Sequence, residues 1–502
     1  MLHSRSIRAV IVISDLAQLA TARSVLSRNP IPNFDLPTGG SYMARRVTVP
    51  IAITVLMSVG CVESAVDGDT PDESTTDQAS NGRGRHLRPQ QVRNGAGIAE
   101  AYTPLGTLRE LEQTNPFFAD LGTNGRTCVS CHGLEGGWTT SAAQQMWDET
   151  NGTDPLFMFT FDNGKCANSD ISTKRKRKDA MVLTLTRGSV RAGQQRIQPT
   201  AEFEVTSFDD PYSCPENTLT AINGYRKPNP LTSVSQKTSV TWAPGPQPDL
   251  RATAKALFIG ATQFHGATTY VPTVEEQEAA ADFMLFNYVA QIEDEVAGRL
   301  DDDGARGGPR ELANQDFFVG INHASTGPTT RKVFDIFDAW IDADREYDRG
   351  RRHNCRDRKQ AERRALIAEG QEIFNFRENA NGGTCSGCHN APNVGTRSVY
   401  QLFDIGIVDK PDPGLVQIHL RNKTTGATRV VTNLGRAGAT GLWSDVGKMA
   451  VPLLRGLSSR GPYFNSGQAK TLKDVVNHYN ERFTFNFTDH EKDALVAFLS
   501  AL

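Results

Sequence analysis

Two strings of one design, Thr127-Cys128-Val129-Ser130-Cys131-His132 and Thr384-Cys385-Ser386-Gly387-Cys388-His389, constrain this chain more than anything else in it. Each sets two thiols three positions apart and places an imidazole directly after the second. At that spacing the thiols can each add to one vinyl group of a porphyrin, and the adjacent histidine is then held under the iron as its proximal ligand. One such string should arise by accident in roughly one comparable chain in several hundred, and two accidents are far rarer. Paired CxxC also builds four-cysteine zinc ribbons, but there the pairs stand about 15 to 20 residues apart. Here most of the chain separates them. The strings therefore predict two covalently bound haem c groups, one on Cys128, Cys131 and His132 and the other on Cys385, Cys388 and His389.

At 502 residues the chain exceeds what one hydrophobic core usually organises, so two domains with appendages are expected. A net charge of −3 argues against a nucleic-acid scaffold and leaves local patches as the electrostatic signal. Haem uses four of the 8 cysteines, leaving Cys61, Cys166, Cys214 and Cys355. Covalent haem c implies export to an oxidising compartment, where Cys166 and Cys214 are available for a disulfide. The pairing itself is not readable from sequence.

The chain begins without sustained periodicity. At Met43 a basic pair, Arg45-Arg46, precedes an apolar run from Val47 to Val59 and then Gly60-Cys61. This has the form of a signal peptide, with a hydrophobic stretch too short for a stable anchor. Residues 1–60 are accordingly read as a leader with the true start at Met43. Cys61 is a candidate for lipidation, ordinary cleavage to a periplasmic protein being the alternative. Residues 61–96 hold little apolar surface to bury and are expected to be a disordered tether.

A first haem domain is expected over 97–305 and a second over 306–502, with the acidic, Gly-rich stretch 293–308 at the boundary. Thr273-Val274-Glu275-Glu276, Thr471-Leu472-Lys473-Asp474 and Thr488-Asp489-His490-Glu491 read as capping boxes that open helices. The first of these helices is expected to carry Phe283, Phe286 and Ala290 on one face, over the first haem. Leu495, Phe498, Leu499 and Leu502 share a face of the last. Ser141 is read as the cap of a helix through Trp147, and 332–343 and 358–374 as amphipathic helices. The basic run Lys174-Arg175-Lys176-Arg177-Lys178 reads as a solvated loop, or as a docking patch for an acidic electron donor.

What occupies the remaining axial position of each iron decides between electron relay and catalysis. After His389 the candidates are His419, Met449, His478, Tyr479 and His490. A thioether from Met449 would favour reduced iron, and a phenolate from Tyr479 highly oxidised iron.

The segment from Val451 to Asn480, with Arg460-Gly461-Pro462-Tyr463-Phe464 at its centre, resembles the C-terminal signature of the bacterial di-haem cytochrome c peroxidase and MauG family. Both CxxCH strings stand in matching order, and the resemblance extends over nearly everything after residue 97. It implies a mainly α fold in which two cytochrome c-like haem domains face each other, with long loops and few strands. In that family an axial methionine or tyrosine follows the Pro-Tyr-Phe turn, and the matching position here is Tyr479. Met449 is the runner-up, and packing against the porphyrin edge is the structural alternative for Tyr479.

The same resemblance matches Trp242 to a tryptophan between the two haems, although the usual Asp-Gly-Arg after it is missing. Where the peroxidases carry a distal glutamate this chain has Gln263 and His265. Imidazole can both take and return a proton near neutral pH, so His265 is expected as distal acid/base with Gln263 donating a hydrogen bond. Direct ligation of the first iron by His265 is the competing reading. The family's calcium ion would fall on the carbonyls of Arg460 and Pro462, with Asn229 as a third ligand.

The resemblance thus implies an oxidoreductase of the envelope or periplasm. It would reduce hydrogen peroxide at haem one with electrons relayed through haem two, from a donor protein or a larger oxidisable substrate. A non-catalytic di-haem electron carrier is the alternative, and a haem-based redox sensor a third.

Overall fold

The structure, a computed structural model, describes residues 87–243, 245, 249–350 and 355–502. The expected leader, the start at Met43 and the lipidation at Cys61 lie outside the described residues.

The fold is mixed rather than mainly helical, because strands recruit residues that carry no strong alternation of their own. Gln91–Asn94 and Gly97–Tyr102 form an antiparallel hairpin, so the end of the stretch expected to be a tether is a strand; residues 61–86 of that stretch lie outside the described residues. The hairpin continues onto Tyr288–Asp294 and Gly298–Arg299, giving a four-stranded sheet. A three-stranded sheet runs Thr428–Val431, Gln417–Asn422, Phe203–Asp209, with Phe203 opposite Asn422 and Asp209 opposite Gln417. It joins residues from either side of the expected domain boundary. That boundary stretch is itself integrated: Ala297 and Leu300 are fully buried in the same cluster as Phe334 and Phe498.

The three capping boxes form as read, on Val274–Phe286, Leu472–Phe483 and Asp489–Ser500. In each, the threonine hydroxyl accepts from the backbone N–H three residues on, while the acidic side chain there accepts from the threonine N–H. The first helix stops at Phe286, and Ala290 lies in the strand that follows, where Asn287 turns extended. The final helix buries Leu495, Phe498 and Leu499, while Leu502, expected on the same face, is buried two residues past its end, and Phe498 meets Phe334 and Phe374 at 5.3 and 5.5 Å. No helix among the described residues is long and apolar enough to cross a membrane.

Three local readings fail. Ser141 lies within a 3₁₀ turn, Thr140–Ala142, and Ala142 rather than a hydroxyl precedes the Ala143–Glu149 helix. The basic run forms a short helix, Lys174–Ala180, because Thr173 caps it. The stretch 332–343 is not an amphipathic helix. The 22-residue helix Cys355–Phe376 carries buried Gln371 and Asn375, whose side-chain oxygens accept the backbone N–H groups of Phe337, Val333 and Phe334. With these three donors already bound across the core, the segment forms no α-helix and coils only in the 3₁₀ turn Asp338–Trp340.

Aromatic clusters mark the two neighbourhoods of the CxxCH strings. Phe117, Phe283 and Trp138 pack together near the first, with Cys128 and Val129 against them. Phe334, Phe337, Phe374 and Phe498 form the second, against which Cys385 packs. Cys166 and Cys214 form a disulfide across a Cα separation of 5.3 Å.

Candidate haem sites and the groups between them

Both CxxCH strings coil locally. Cys128–Ser130 is a 3₁₀ turn and Cys385–Cys388 a single helical turn, and the Thr384 hydroxyl accepts from Gly387 N–H. The coil brings each cysteine pair and its histidine onto one side. All four thiols are free, in contrast to Cys166 and Cys214. Burial pushes Cys128, Cys131 and Cys385 up to about 12, so they are uncharged at neutral pH, as thioethers also are.

The histidines share one geometry. Nδ1 of His132 lies 2.9 Å from the carbonyl of Trp138, and Nδ1 of His389 lies 2.7 Å from the carbonyl of Gly395, each six residues further on. A carbonyl can only accept, so each ring holds its proton on Nδ1 and directs the lone pair of Nε2 outward. Burial lowers both histidines to about 4. A neutral imidazole with its other nitrogen fixed by a backbone acceptor is the form that binds a metal. The donor set therefore fits covalent haem c at both strings.

His265 ends the Leu250–His265 helix, and that end is pinned to the segment just before the first string. Thr123 N–H donates to the carbonyl of Gly266, and the Asn124 amide to that of His265. The two segments touch so closely that a Cβ on Gly122 would stand 2.3 Å from the Gly266 oxygen. The His265 ring is exposed, and its Nδ1 lies 2.5 Å from Oδ2 of buried Asp162. The Asp162 carboxylate also takes two hydrogen bonds from Nη1 of Arg126, at 2.8 and 2.9 Å. Burial alone would raise Asp162, but the hydrogen bond from His265 and the Arg126 charge outweigh it and hold the carboxyl below its usual range. The charges of Asp162 and His265 act on Cys131 and His132 respectively, which sets the pair beside the first string. Nothing in the local sequence marks Asp162, whose partner His265 is 103 positions away.

Gln263 does not join this group. It lies in the same helix two residues before His265, and side chains at that spacing leave on nearly opposite faces.

Near the second string, Tyr479 is partly buried in the Leu472–Phe483 helix, stacked on Phe483 at 5.8 Å and 6.2 Å from Phe464. Burial and the Cys388 and Cys385 thiols raise its phenol well above the ordinary range. Met449 instead sits in a two-residue strand opposite Phe403 and packs toward Phe203 and Ile418. His419 and His490 pair with Asp209 and Glu369 at the surface, and His478 binds the carbonyl of Ile405.

Trp242 donates from Nε1 to the carbonyl of Lys227 at 2.7 Å, and its own carbonyl accepts from Ala450. It thereby bridges the Lys227 backbone and the strand of Met449. The expected calcium ligands are engaged otherwise. The Lys227 amino group donates to the carbonyls of both Arg460 and Pro462, and the Asn229 amide donates to Val240.

No family model matches the chain. It is 32% identical over 149 residues to cytochrome-c peroxidase IdrP2 of Denitromonas iodatirespirans, covering 27% of this chain and 38% of that protein. It is 31% identical over 119 residues to cytochrome c551 peroxidase of Pseudomonas aeruginosa, covering 24% of this chain and 30% of that protein. Over these stretches the chain is similar to bacterial cytochrome c peroxidases. The matches span less than half the length of these peroxidases. Among solved structures, a MauG-like protein associated with microbial copper homeostasis is matched over 80% of this chain and 90% of its own, at a TM-score of 0.36 and 14% identity. That likeness is too distant to carry an argument.

Proposed function

We propose that this peroxidase relative is an exported di-haem c oxidoreductase that reduces hydrogen peroxide at the haem of Cys128, Cys131 and His132. Electrons would arrive through the haem of Cys385, Cys388 and His389. The observation that carries the reading is the shared geometry of His132 and His389, each with Nδ1 fixed on a backbone carbonyl and Nε2 free for iron. Bound haem supplies the redox chemistry. The protein's part is to hold the imidazoles, exclude water and move protons.

Reduction of peroxide to two waters consumes two electrons and two protons. His265 is the proton carrier. Asp162 accepts from its Nδ1–H, which leaves Nε2 as the base that takes a proton from peroxide and returns it to the departing oxygen. Arg126 keeps Asp162 ionised, so the imidazole holds its tautomer throughout. Trp242, tied to both the Lys227 backbone and the strand of Met449, is the candidate relay between the haems.

Tyr479 favours a variant of this reading. It lies beside Cys385 and Cys388, whereas Met449 packs elsewhere. A tyrosine ligand would make haem two a poor acceptor from small cytochromes and favour oxidation of a larger substrate. Export is supported by the Cys166–Cys214 disulfide, which belongs to an oxidising compartment.

The test is spectroscopic. A pyridine haemochrome assay should return two haems per chain. Optical and EPR spectra before and after one equivalent of peroxide should show one high-spin haem that reacts. Two unreactive low-spin haems would replace the proposal with an electron carrier.

A further inference from the structure

Lys227, Lys237 and Arg460 are each almost completely buried, and among the described residues every acceptor they reach is a backbone carbonyl. Lys237 donates to Pro230, and Arg460 donates from Nε to Gly137 and from Nη1 to Leu453. The second terminal nitrogen of Arg460, Nη2, is buried with no partner. Gly137 admits the guanidinium: a Cβ there would lie 2.8 Å from Arg460 Cγ, and its φ of 60° is a left-handed one. The result is a basic cluster in the interior with no carboxylate on it.

A calcium ion would need six to eight oxygen ligands, carboxylates usually among them. Here the Arg460 and Pro462 carbonyls already receive Lys227, Asn229 presents its amide to Val240, and two further cationic side chains stand alongside. The residues present do not fit calcium. We infer that the Lys227 amino group fills the position a divalent cation would otherwise take, clamping the Arg460–Pro462 loop to the segment that holds Trp242, so that this chain needs no calcium. One residue makes both connections. Its side chain holds the loop that leads to the helix of Tyr479, its carbonyl holds the Trp242 indole, and its N–H donates to the carbonyl of Asn465. A metal bound by carbonyls could be lost to a chelator, whereas a covalently tethered amine cannot.

The holoprotein, purified with calcium present and then desalted, should carry far less than one calcium per chain by elemental mass spectrometry. Its melting temperature should differ by less than about 1 °C between EGTA and excess calcium chloride, because a ligand that does not bind the native state cannot shift its stability. Stoichiometric calcium, or a fall of several degrees in EGTA, would overturn the inference. Lys227→Met keeps the aliphatic stem but has no N–H, and should melt several degrees lower. Lys227→Ala, which also empties the position, should recover part of its loss with methylammonium. An unchanged melting temperature in Lys227→Met would likewise overturn the inference. If either variant fails to accumulate, the wild-type measurements decide alone. None of these readouts involves peroxide, so the result is separate from the fate of the proposed activity.

Discussion

Nδ1 of His265 lies 2.5 Å from Oδ2 of Asp162, and that carboxylate is gripped on its other side by Arg126. The ring is exposed while the carboxylate is buried. An imidazole held this way has a fixed tautomer and an outward nitrogen, which a helix-terminal histidine without a partner would lack. Phe264 and Phe161 stack edge to face at 5.2 Å beside it, and Arg126 lies over the Phe161 and Phe159 rings, so the supporting residues are themselves packed.

Replacing His265 with alanine should lower peroxide turnover by about 10²–10⁴-fold, the usual worth of a positioned acid/base. Haem content should be unchanged, because Arg126 still neutralises Asp162. Gln263→Ala, on the other side of the helix, should leave turnover close to wild type. Stopped-flow reaction with peroxide, normalised to pyridine haemochrome, measures both.

Tyr479→Phe should alter the ferric spectrum of the second haem while Met449→Leu leaves it unchanged. The phenol stands beside Cys385 and Cys388, and Met449 is held in a strand against Phe403. An unaltered Tyr479→Phe spectrum would assign Tyr479 to packing alone. EPR of the two variants at equal haem content makes the comparison.

The features legible in the sequence are those whose physics is local. A CxxCH string is complete within six positions, and a capping box within four, so both stand in the structure where the residues put them. Asp162 and Lys227 were not legible because their partners lie 103 and 233 to 235 positions away. The strand Phe203–Asp209 was missed for the same reason: among the described residues its one strand partner is Gln417–Asn422. The helix expected over 332–343 failed differently. Its apolar spacing is genuine, but the same residues face one core through irregular backbone and the 3₁₀ turn Asp338–Trp340.

The Arg187–Asp412 fork predicts a pH dependence. Two parallel bonds of 2.6 and 2.7 Å join residues 225 positions apart. Burial would raise the Asp412 carboxyl, but the Arg187 fork and the Gly414 N–H hold it below the usual range. A carboxyl lowered by folding contributes stability above its unfolded pKa, and that contribution is lost as pH falls through the folded value. Thermal stability should therefore fall below about pH 4, and Asp412→Asn should flatten that part of the profile. Tyr212, which donates to Gly414 nearby, does not titrate in this window.

Removing the disulfide with the pair Cys166→Ala and Cys214→Ala should lower stability by about 4 kcal/mol, the loop-entropy expectation for a closure of this length. The closure spans 48 positions. Calorimetry of the double variant against wild type checks it, and the haem strings, which contribute no cysteine to this bridge, should load normally.

Asn375 offers the sharpest test of why 332–343 is not an amphipathic helix. Its Oδ1 accepts from Val333 and Phe334 N–H, each at 3.0 Å, and its Nδ2 donates to the Phe334 carbonyl at 2.7 Å, all in the buried core. Asn375→Leu keeps the volume but strands the Phe334 amide and carbonyl away from water, while the Val333 N–H keeps the Arg331 carbonyl at 2.9 Å. Each orphaned group costs about 1–3 kcal/mol, so a loss of about 2–6 kcal/mol is expected for the two, larger than a volume-conserving core change would cause. Gln371→Leu strands only the Phe337 amide and should cost roughly half as much. Equal losses in the two variants, read by chemical denaturation, would mean that side-chain volume rather than backbone hydrogen bonding holds this segment open.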